Sequence, residues 1–277
     1  MTNRVEPLNF SDEARWTALA ASYERWAEPL TAGFARAALS LAGGIGHGVR
    51  VLDVAAGTGA LTLAAAEAGA RVLATDISRG MSARLRERLQ PFAGSEARVM
   101  DGQALEVEDG TFDVSCSVFG VMMFPDWRRG MAELVRATRP GGRIIVATWS
   151  SPEGAGPAPL FLQAYRRTFP DAPIHPPPQG MTVLCSPEGL KAEMLGAGCG
   201  EVAVHAVEGA WGGASVDQLM EDLDEILRFM PLYVALDGDG RARLRGPLRA
   251  VIEPFAEPGG AVRVPVTANI AIGRKPG

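Results

Sequence analysis

The segment Val51-Leu52-Asp53-Val54-Ala55-Ala56-Gly57-Thr58-Gly59-Ala60-Leu61-Thr62 constrains this chain more than any other, because it joins a short apolar strand to a helix through a glycine turn. Gly57 and Gly59 let the backbone reverse sharply and approach a ligand more closely than a side chain would permit. An almost wholly apolar strand leading into a helix belongs to a parallel sheet covered on both faces. The alternation then repeats. Residues 49–54, 71–75, 98–100, 112–117 and 143–149 read as strands, and residues 61–68, 79–89 and 126–138 as helices. The last of these helices places Trp127, Met131, Leu134 and Val135 at helical spacing, and Pro140-Gly141-Gly142 turns the chain into the strand that follows.

The flanks have a different character. Residues 11–40 read as one or two helices, capped at Ser11 or Asp12 and broken or restarted at Pro29. Eight prolines crowd residues 150–186 around one helical stretch, 160–169. Ser186-Pro187-Glu188 then opens a helix with its cap and first-turn proline in the favoured order. Strands are expected at 201–207 and 262–274, and helices at 215–230 and 241–255. The expected architecture is a Rossmann-like, seven-stranded, mostly parallel sheet in three parts: an N-terminal helical cover (1–45), a core (46–150), and a remainder (151–277). That remainder holds a C-terminal lid insertion and substrate region together with the last helix and strands. Residues 150–186 and 215–255 are the lid candidates.

Composition narrows the partners. Hydrophobic residues make up 47% and charged residues 21%, and the net charge of −5 comes without any dense run of Lys or Arg, so neither nucleic acid nor a membrane is expected as partner. The opening MTNRVEPLNF lacks the apolar core of a secretory signal, and no stretch reaches the ~18 apolar residues of a membrane span, so a cytoplasmic location is expected. Cys116, Cys185 and Cys199 have neither a disulfide nor a zinc spacing; they read as reduced thiols, and no metal site is expected.

Glycine turns serve several nucleotide cofactors. The dinucleotide fingerprint needs a third glycine where this chain has Thr62. The next strand ends in Asp76, roughly twenty residues beyond the turn, where a carboxylate accepts hydrogen bonds from a ribose diol; capping of the following helix is the alternative. Of the histidines, His47 sits in a glycine loop and His205 within a strand. His175, in Ile174-His175-Pro176, is the candidate general base. Phe119, Met122, Met123 and Phe124, with Trp149 and Trp211, are candidates to line an apolar pocket.

With these residues in place the chain resembles class I S-adenosylmethionine-dependent methyltransferases, similar to the ubiquinone and menaquinone biosynthesis subgroup. Asp53 to Gly59 matches the first motif, with Ala55 at its usual first glycine. Asp76 matches the ribose-binding acid, and Asp101-Gly102 the pair that reads the adenine edge. Asp109-Gly110-Thr111-Phe112-Asp113 and Arg139-Pro140-Gly141-Gly142-Arg143 resemble the entries to the fourth and fifth strands, whereas Leu105-Glu106-Val107 departs from the usual Leu-Pro-Phe. The resemblance covers about residues 45–150. It implies S-adenosyl-L-methionine as cofactor, held by Tyr23, Asp53, Ala55, Gly57, Thr58, Gly59, Asp76, Ile77, Met81, Asp101, Gly102 and Ser117. Trp26, Phe119, Met122 and Met123 would bind the acceptor, and Tyr23 and Trp26 would close over the sulfonium or simply pack the cover. The implied reaction is methyl transfer to O, C or N of a small, partly apolar or aromatic metabolite, in an enzyme for which a homodimer is a candidate assembly. An RNA or protein methyltransferase and a catalytically silent cofactor-binding module are the competing readings; the absence of Asn-Pro-Pro-Tyr or Asp-Pro-Pro-Tyr after the fourth strand disfavours methylation of base amino groups.

Overall fold

In a computed structural model, described over residues 12–277, Asp12 caps the first helix by accepting from the Arg15 N–H; Ser11, the other cap candidate, lies outside the described residues. Helix α1 (Glu13–Ser22) runs through a single π turn (Tyr23–Ala27) into α2 (Glu28–Ala42). The helical run is not interrupted at Pro29 but restarts there as α2, with the proline in its first turn, where it is tolerated.

Five strand and three helix segments follow in alternation: β1 (Arg50–Val54), α3 (Ala60–Glu67), β2 (Arg71–Asp76), α4 (Arg79–Leu89), β3 (Glu96–Val99), β4 (Phe112–Val118), α5 (Trp127–Ala137) and β5 (Thr138–Trp149). Then come α6 (Pro157–Thr168), α7 (Gln179–Leu184), α8 (Pro187–Gly196), β6 (Val202–Gly213), α9 (Val216–Glu221), α10 (Leu223–Leu227), α11 (Pro231–Val234), α12 (Gly238–Ile252) and β7 (Val262–Arg274). The seven strands form one sheet in the order β3-β2-β1-β4-β5-β7-β6, with β1 to β5 parallel and β7 antiparallel to β5. Its centre is closed to water: Val51, Leu52 and the run Ile144–Ala147 are at most 1% exposed. Each such Val, Leu or Ile contributes about 1.5–3 kcal/mol, enough for these runs to dictate strand identity over local propensity.

Several boundaries differ from the sequence reading, each for a local reason. The helix expected over 215–230 is cut at Asp222, which ends α9 and caps α10, and Pro231 then starts a separate turn. Strand β6 extends to Gly213 rather than ending at 207. A Cβ at Gly212 would lie only 1.7 Å from the Val262 carbonyl oxygen, so the glycine there permits a close strand approach. Helix α7, in the proline-dense stretch, was not expected.

The described residues make two compact units, residues 12–152, 178–207 and 268–277 in the larger and residues 153–177 and 208–267 in the smaller; the chain passes between them within β6 and β7 and at two loops. The smaller unit has its own core, in which Phe161 meets Tyr165 and Tyr233 at ring separations of 5.5 and 6.2 Å.

In the larger unit the N-terminal cover is docked through α4. The Thr17 hydroxyl shares a 3.0 Å hydrogen bond with the Ser78 hydroxyl and accepts from the Gly80 N–H at 3.0 Å. A Cβ at Gly80 would stand 2.8 Å from the Thr17 carbonyl oxygen and 2.9 Å from its Cα. Gly80→Ala is therefore expected to destabilise the protein by about 1–3 kcal/mol and to speed hydrogen exchange within residues 13–22 above all. Unchanged melting and exchange would mean that α1 shifts freely at this contact.

Candidate functional site

Strand β1 pairs with β2 on one side and β4 on the other, so the strand order reverses between β1 and β4. In an open α/β sheet, the crevice at the carboxyl ends of the strands at such a reversal is where ligands bind. Both strands end here in left-handed backbone: Ala55 has φ 58° after β1, and Phe119 has φ 62° after β4. Such conformations are uncommon for residues with a side chain and persist where neighbours hold them. The two ends are packed tightly, since a Cβ at Gly120 would lie 2.4 Å from that of Ala55 and 2.8 Å from the Ser117 hydroxyl. Ser117 is fully buried and its hydroxyl accepts from the Val121 N–H at 3.0 Å, which closes the turn after β4.

The glycine turn is pinned from three directions. Asp76 accepts from the Gly57 N–H at 2.9 Å with one oxygen and from the Ser78 N–H at 2.9 Å with the other. The Ala56 N–H donates to the Thr75 carbonyl at 2.9 Å. Tyr23, from the π turn, brings its ring to within 3.2 Å of where a Cβ on Gly57 would lie. Burial lifts the Tyr23 hydroxyl to about 12, a bond with Thr31 opposes it, and the charges of Asp76, Glu28 and Asp53 add to the rise.

Asp53 is 2% exposed. It accepts from the Thr62 hydroxyl at 2.6 Å, and its other oxygen faces the Cys116 thiol at 3.8 Å. Burial pushes its carboxyl up to about 7; the Thr62 bond lowers it and the charge of Asp76 raises it further. Burial also raises Asp76, against the two N–H bonds it accepts. Burial and the Asp53 charge drive the Cys116 thiol well above its ordinary range, which makes it an inert core residue.

A cleft beside the turn is lined by Ala55, Ile77, Met100, Asp101, Gly102 and Phe124, among others. Asp101 is exposed, and one of its oxygens accepts from both the main chain and the side chain of Gln103. Gly102 is sealed beneath Phe124, whose ring would lie 2.6 Å from an added Cβ. The structure thus gathers Tyr23, Asp53, Ala55, Gly57, Thr58, Gly59, Asp76, Ile77, Asp101, Gly102 and Ser117 about the ends of β1, β2 and β4. Met81 and Met122 are each 2% exposed, in the core behind them, while Met123 is half-buried. Phe119 stacks on Trp149 at 3.6 Å, with Phe34 set edge-on to both. Trp26 is half-buried in the π turn, beneath the Arg25 guanidinium at 5.0 Å. His175 lies in the smaller unit, half-buried, between α6 and α7. Among the described residues no group of three or more His, Cys, Asp or Glu is arranged to hold a metal, and no helix is long and apolar enough to cross a membrane.

Sequence reasoning passed over three contributors. Thr62 stands where a dinucleotide fingerprint has glycine, and that substitution is the signal for its bond to Asp53. Glu28 and Arg88 bond each other and Thr58; their only trace in sequence is the pairing of Glu24 and Glu28 with Arg84 and Arg88 at equal spacing.

Residues 52–146 match the family model described as a methyltransferase domain. A demethylmenaquinone methyltransferase of Clavibacter sepedonicus is 39% identical over 118 residues, covering 43% of this chain and 46% of that one. An uncharacterised protein of Mycobacterium tuberculosis is 41% identical over 129 residues, covering 46% of this chain and 47% of that one. The chain thus spans about half the length of the curated relatives it matches. Among solved structures, the YcgJ protein of Bacillus subtilis superposes with a TM-score of 0.56 at 17% identity, over 89% of this chain and 98% of that one. A phosphoethanolamine N-methyltransferase of Haemonchus contortus, solved with S-adenosyl-L-methionine, gives 0.54 at 17% identity, over 88% of this chain and 53% of that one. Over residues 52–146 the chain is thus similar to a methyltransferase domain, and over about the same stretch it is similar to the demethylmenaquinone methyltransferases.

Asp53 generates a pH prediction. In the unfolded chain its carboxyl ionises near the ordinary 3.8, but in the folded protein only near 7. The folded state therefore holds the extra proton between those values. The stability this contributes is complete below about pH 4 and is lost as pH rises to 7. Urea unfolding between pH 4.5 and 8 should show stability falling across that window, and Asp53→Asn should flatten the fall. Equal slopes in the two proteins would assign the titration elsewhere.

Proposed function

We propose that this chain is an S-adenosylmethionine-dependent methyltransferase whose acceptor is a small, partly apolar or aromatic metabolite. The turn at the strand-order reversal carries the reading: left-handed Gly57 and Gly59, with the Gly57 N–H held by Asp76, beside a cleft lined by Ile77, Asp101 and Gly102. These residues fit the parts of the cofactor. Each Asp76 oxygen accepts one backbone N–H and keeps a lone pair for a ribose hydroxyl. Ile77 and Met100 offer apolar contact to a flat base, and Asp101 offers an acceptor to its amino group. Asp53 and Asp76, both raised by burial, mark a place where a positive group relieves the cost of buried negative charge.

When bound, S-adenosylmethionine supplies an electrophilic methyl group on a cationic sulfonium. The chain's part is positioning and exclusion of water. Tyr23 and Trp26 cover the turn. Asp53, oriented by Thr62, faces the cationic end. Phe119 and Met123, with the buried Met122 behind, shape the acceptor side, and the buried Met81 backs the cofactor side. The relatives named for demethylmenaquinone motivate an apolar ring-bearing acceptor.

Isotopic methyl transfer by the purified chain, offered small metabolites, RNA and protein in parallel, tests the reading. Transfer confined to RNA or protein would replace the acceptor class, and cofactor binding without transfer to any would leave a binding module. Within this reading Asp76→Ala is expected to weaken S-adenosylmethionine binding at least about tenfold, from loss of charge-assisted bonds worth roughly 1.5–3 kcal/mol. Calorimetry giving equal affinity for variant and parent would remove Asp76 from the ribose.

A further inference from the structure

We infer that Glu28 and Arg88 are positioning residues for the cofactor turn, holding it and the N-terminal cover in a single fixed relation; the inference rests on the cofactor site proposed above. The Gly57-Thr58-Gly59 turn has φ of 58° and 113° at its glycines, and Thr58 is its one residue with a side chain of its own. Thr58 is fully buried and is held at both its polar ends. Its carbonyl accepts from Arg88 Nη1 at 2.8 Å, and its hydroxyl donates to Glu28 Oε2. Arg88 in turn donates to both oxygens of Glu28, at 2.7 and 2.8 Å. The three residues close a ring that joins α2, α4 and the turn. The bond with Glu28 raises the Arg88 guanidinium above its ordinary value.

Docking of the cover onto α4 does not need this ring. Glu24 in the π turn and Arg84 in α4, each four residues earlier, already form an ion pair, with side chains 30% and 41% exposed. The Glu28 side chain is only 11% exposed. Burying an ion pair carries a desolvation cost that often cancels its gain in stability, and its best use is to specify one arrangement. Beyond their mutual pair, and a longer 3.9 Å contact of Arg88 with Glu24, the side-chain bonds of Glu28 and Arg88 go to the turn. Glu28 also begins α2 where the π turn ends, and its N–H donates to the Tyr23 carbonyl. With α1 fixed at Thr17 and α2 fixed at Glu28, the intervening π turn has little freedom, and Tyr23 is aimed at Gly57. π turns occur often at functional sites, where one extra residue redirects a side chain.

The test is calorimetric binding of S-adenosylhomocysteine to the full chain, at a temperature well below the melting point of each variant. Glu28→Gln preserves volume and Arg88→Lys preserves charge, and each is expected to weaken binding roughly tenfold. The double variant should be little worse than either alone, because all three partners belong to one ring. Arg84→Gln is the control, expected to change melting slightly and affinity less than about twofold. A purely structural pair would lower melting in Glu28→Gln and Arg88→Lys while leaving affinity at the parental value, and that result overturns the inference. If the parent itself fails to bind, the cofactor reading falls first, and the two failures are thereby distinguished. A measurement on the unaltered chain removes dependence on how the variants fold: with S-adenosylhomocysteine, residues 22–28 and 57–59 should gain hydrogen-exchange protection together. Protection of 57–59 alone would separate the turn from the cover and overturn the inference as well.

Discussion

The structure of the larger unit depends on one backbone reversal, at the end of β1. Left-handed conformation at Ala55, Gly57 and Gly59 exposes a run of N–H groups at the sheet's carboxyl edge, and such a run needs acceptors or it is unstable. Asp76 provides one for Gly57, and the Thr75 carbonyl provides one for Ala56. These partners come from β2, so the turn has this shape only once β1 and β2 are in register, with Val54 opposite Thr75. The sheet therefore makes the turn, and the turn sets where α3 departs. Gly59 stands at the start of α3 so close to α4 that an added Cβ would meet Leu85 at 2.5 Å, which ties helix packing to the same three residues. A small error in the reversal would propagate to both helices and to the cleft beside Ile77.

How much of this could be read from residues alone follows the range of the interactions. The apolar strand runs, the glycine turn and the acid at position 76 are local patterns, and β1, β2, β4 and the end of β5 stand where they indicate. The helix Trp127–Ala137 is equally legible, because Trp127, Met131 and Leu134 repeat at helical spacing and all are buried. Legibility fails where a distant partner decides. Strand β5 begins at Thr138, five residues before the apolar run, because Thr138 pairs with Phe112 across a register shift that no periodicity records. Strand β6 runs past the expected end at 207 because Gly212 lets it approach Val262 of β7, fifty positions away. Glu28 and Arg88 look like solvated helix charges; only the fold reveals that both reach Thr58. The π turn has no sequence signature at all, and it follows from anchoring one helical run to α4 at two separated points.

Charge explains why the site has this degree of burial. Asp53, Asp76 and Glu28 all surround Tyr23, and all three act on its hydroxyl in the same direction. Only Glu28 has a cation of its own, Arg88. Asp53 and Asp76 have hydroxyl and N–H donors instead, which stabilise a carboxylate less than a full opposite charge does. Burial raises both, so whenever they ionise they hold an excess of negative charge that a positive group beside them would stabilise. Neutralising that excess with a second arginine would favour folding but would repel a cationic ligand. The carboxylate of Glu28 is thus paired with a cation within the protein, whereas Asp53 and Asp76 are held by neutral donors alone. On this account the compensated pair and the uncompensated pair are two halves of one design, in which the rigid half holds the turn still and the charged half supplies the attraction.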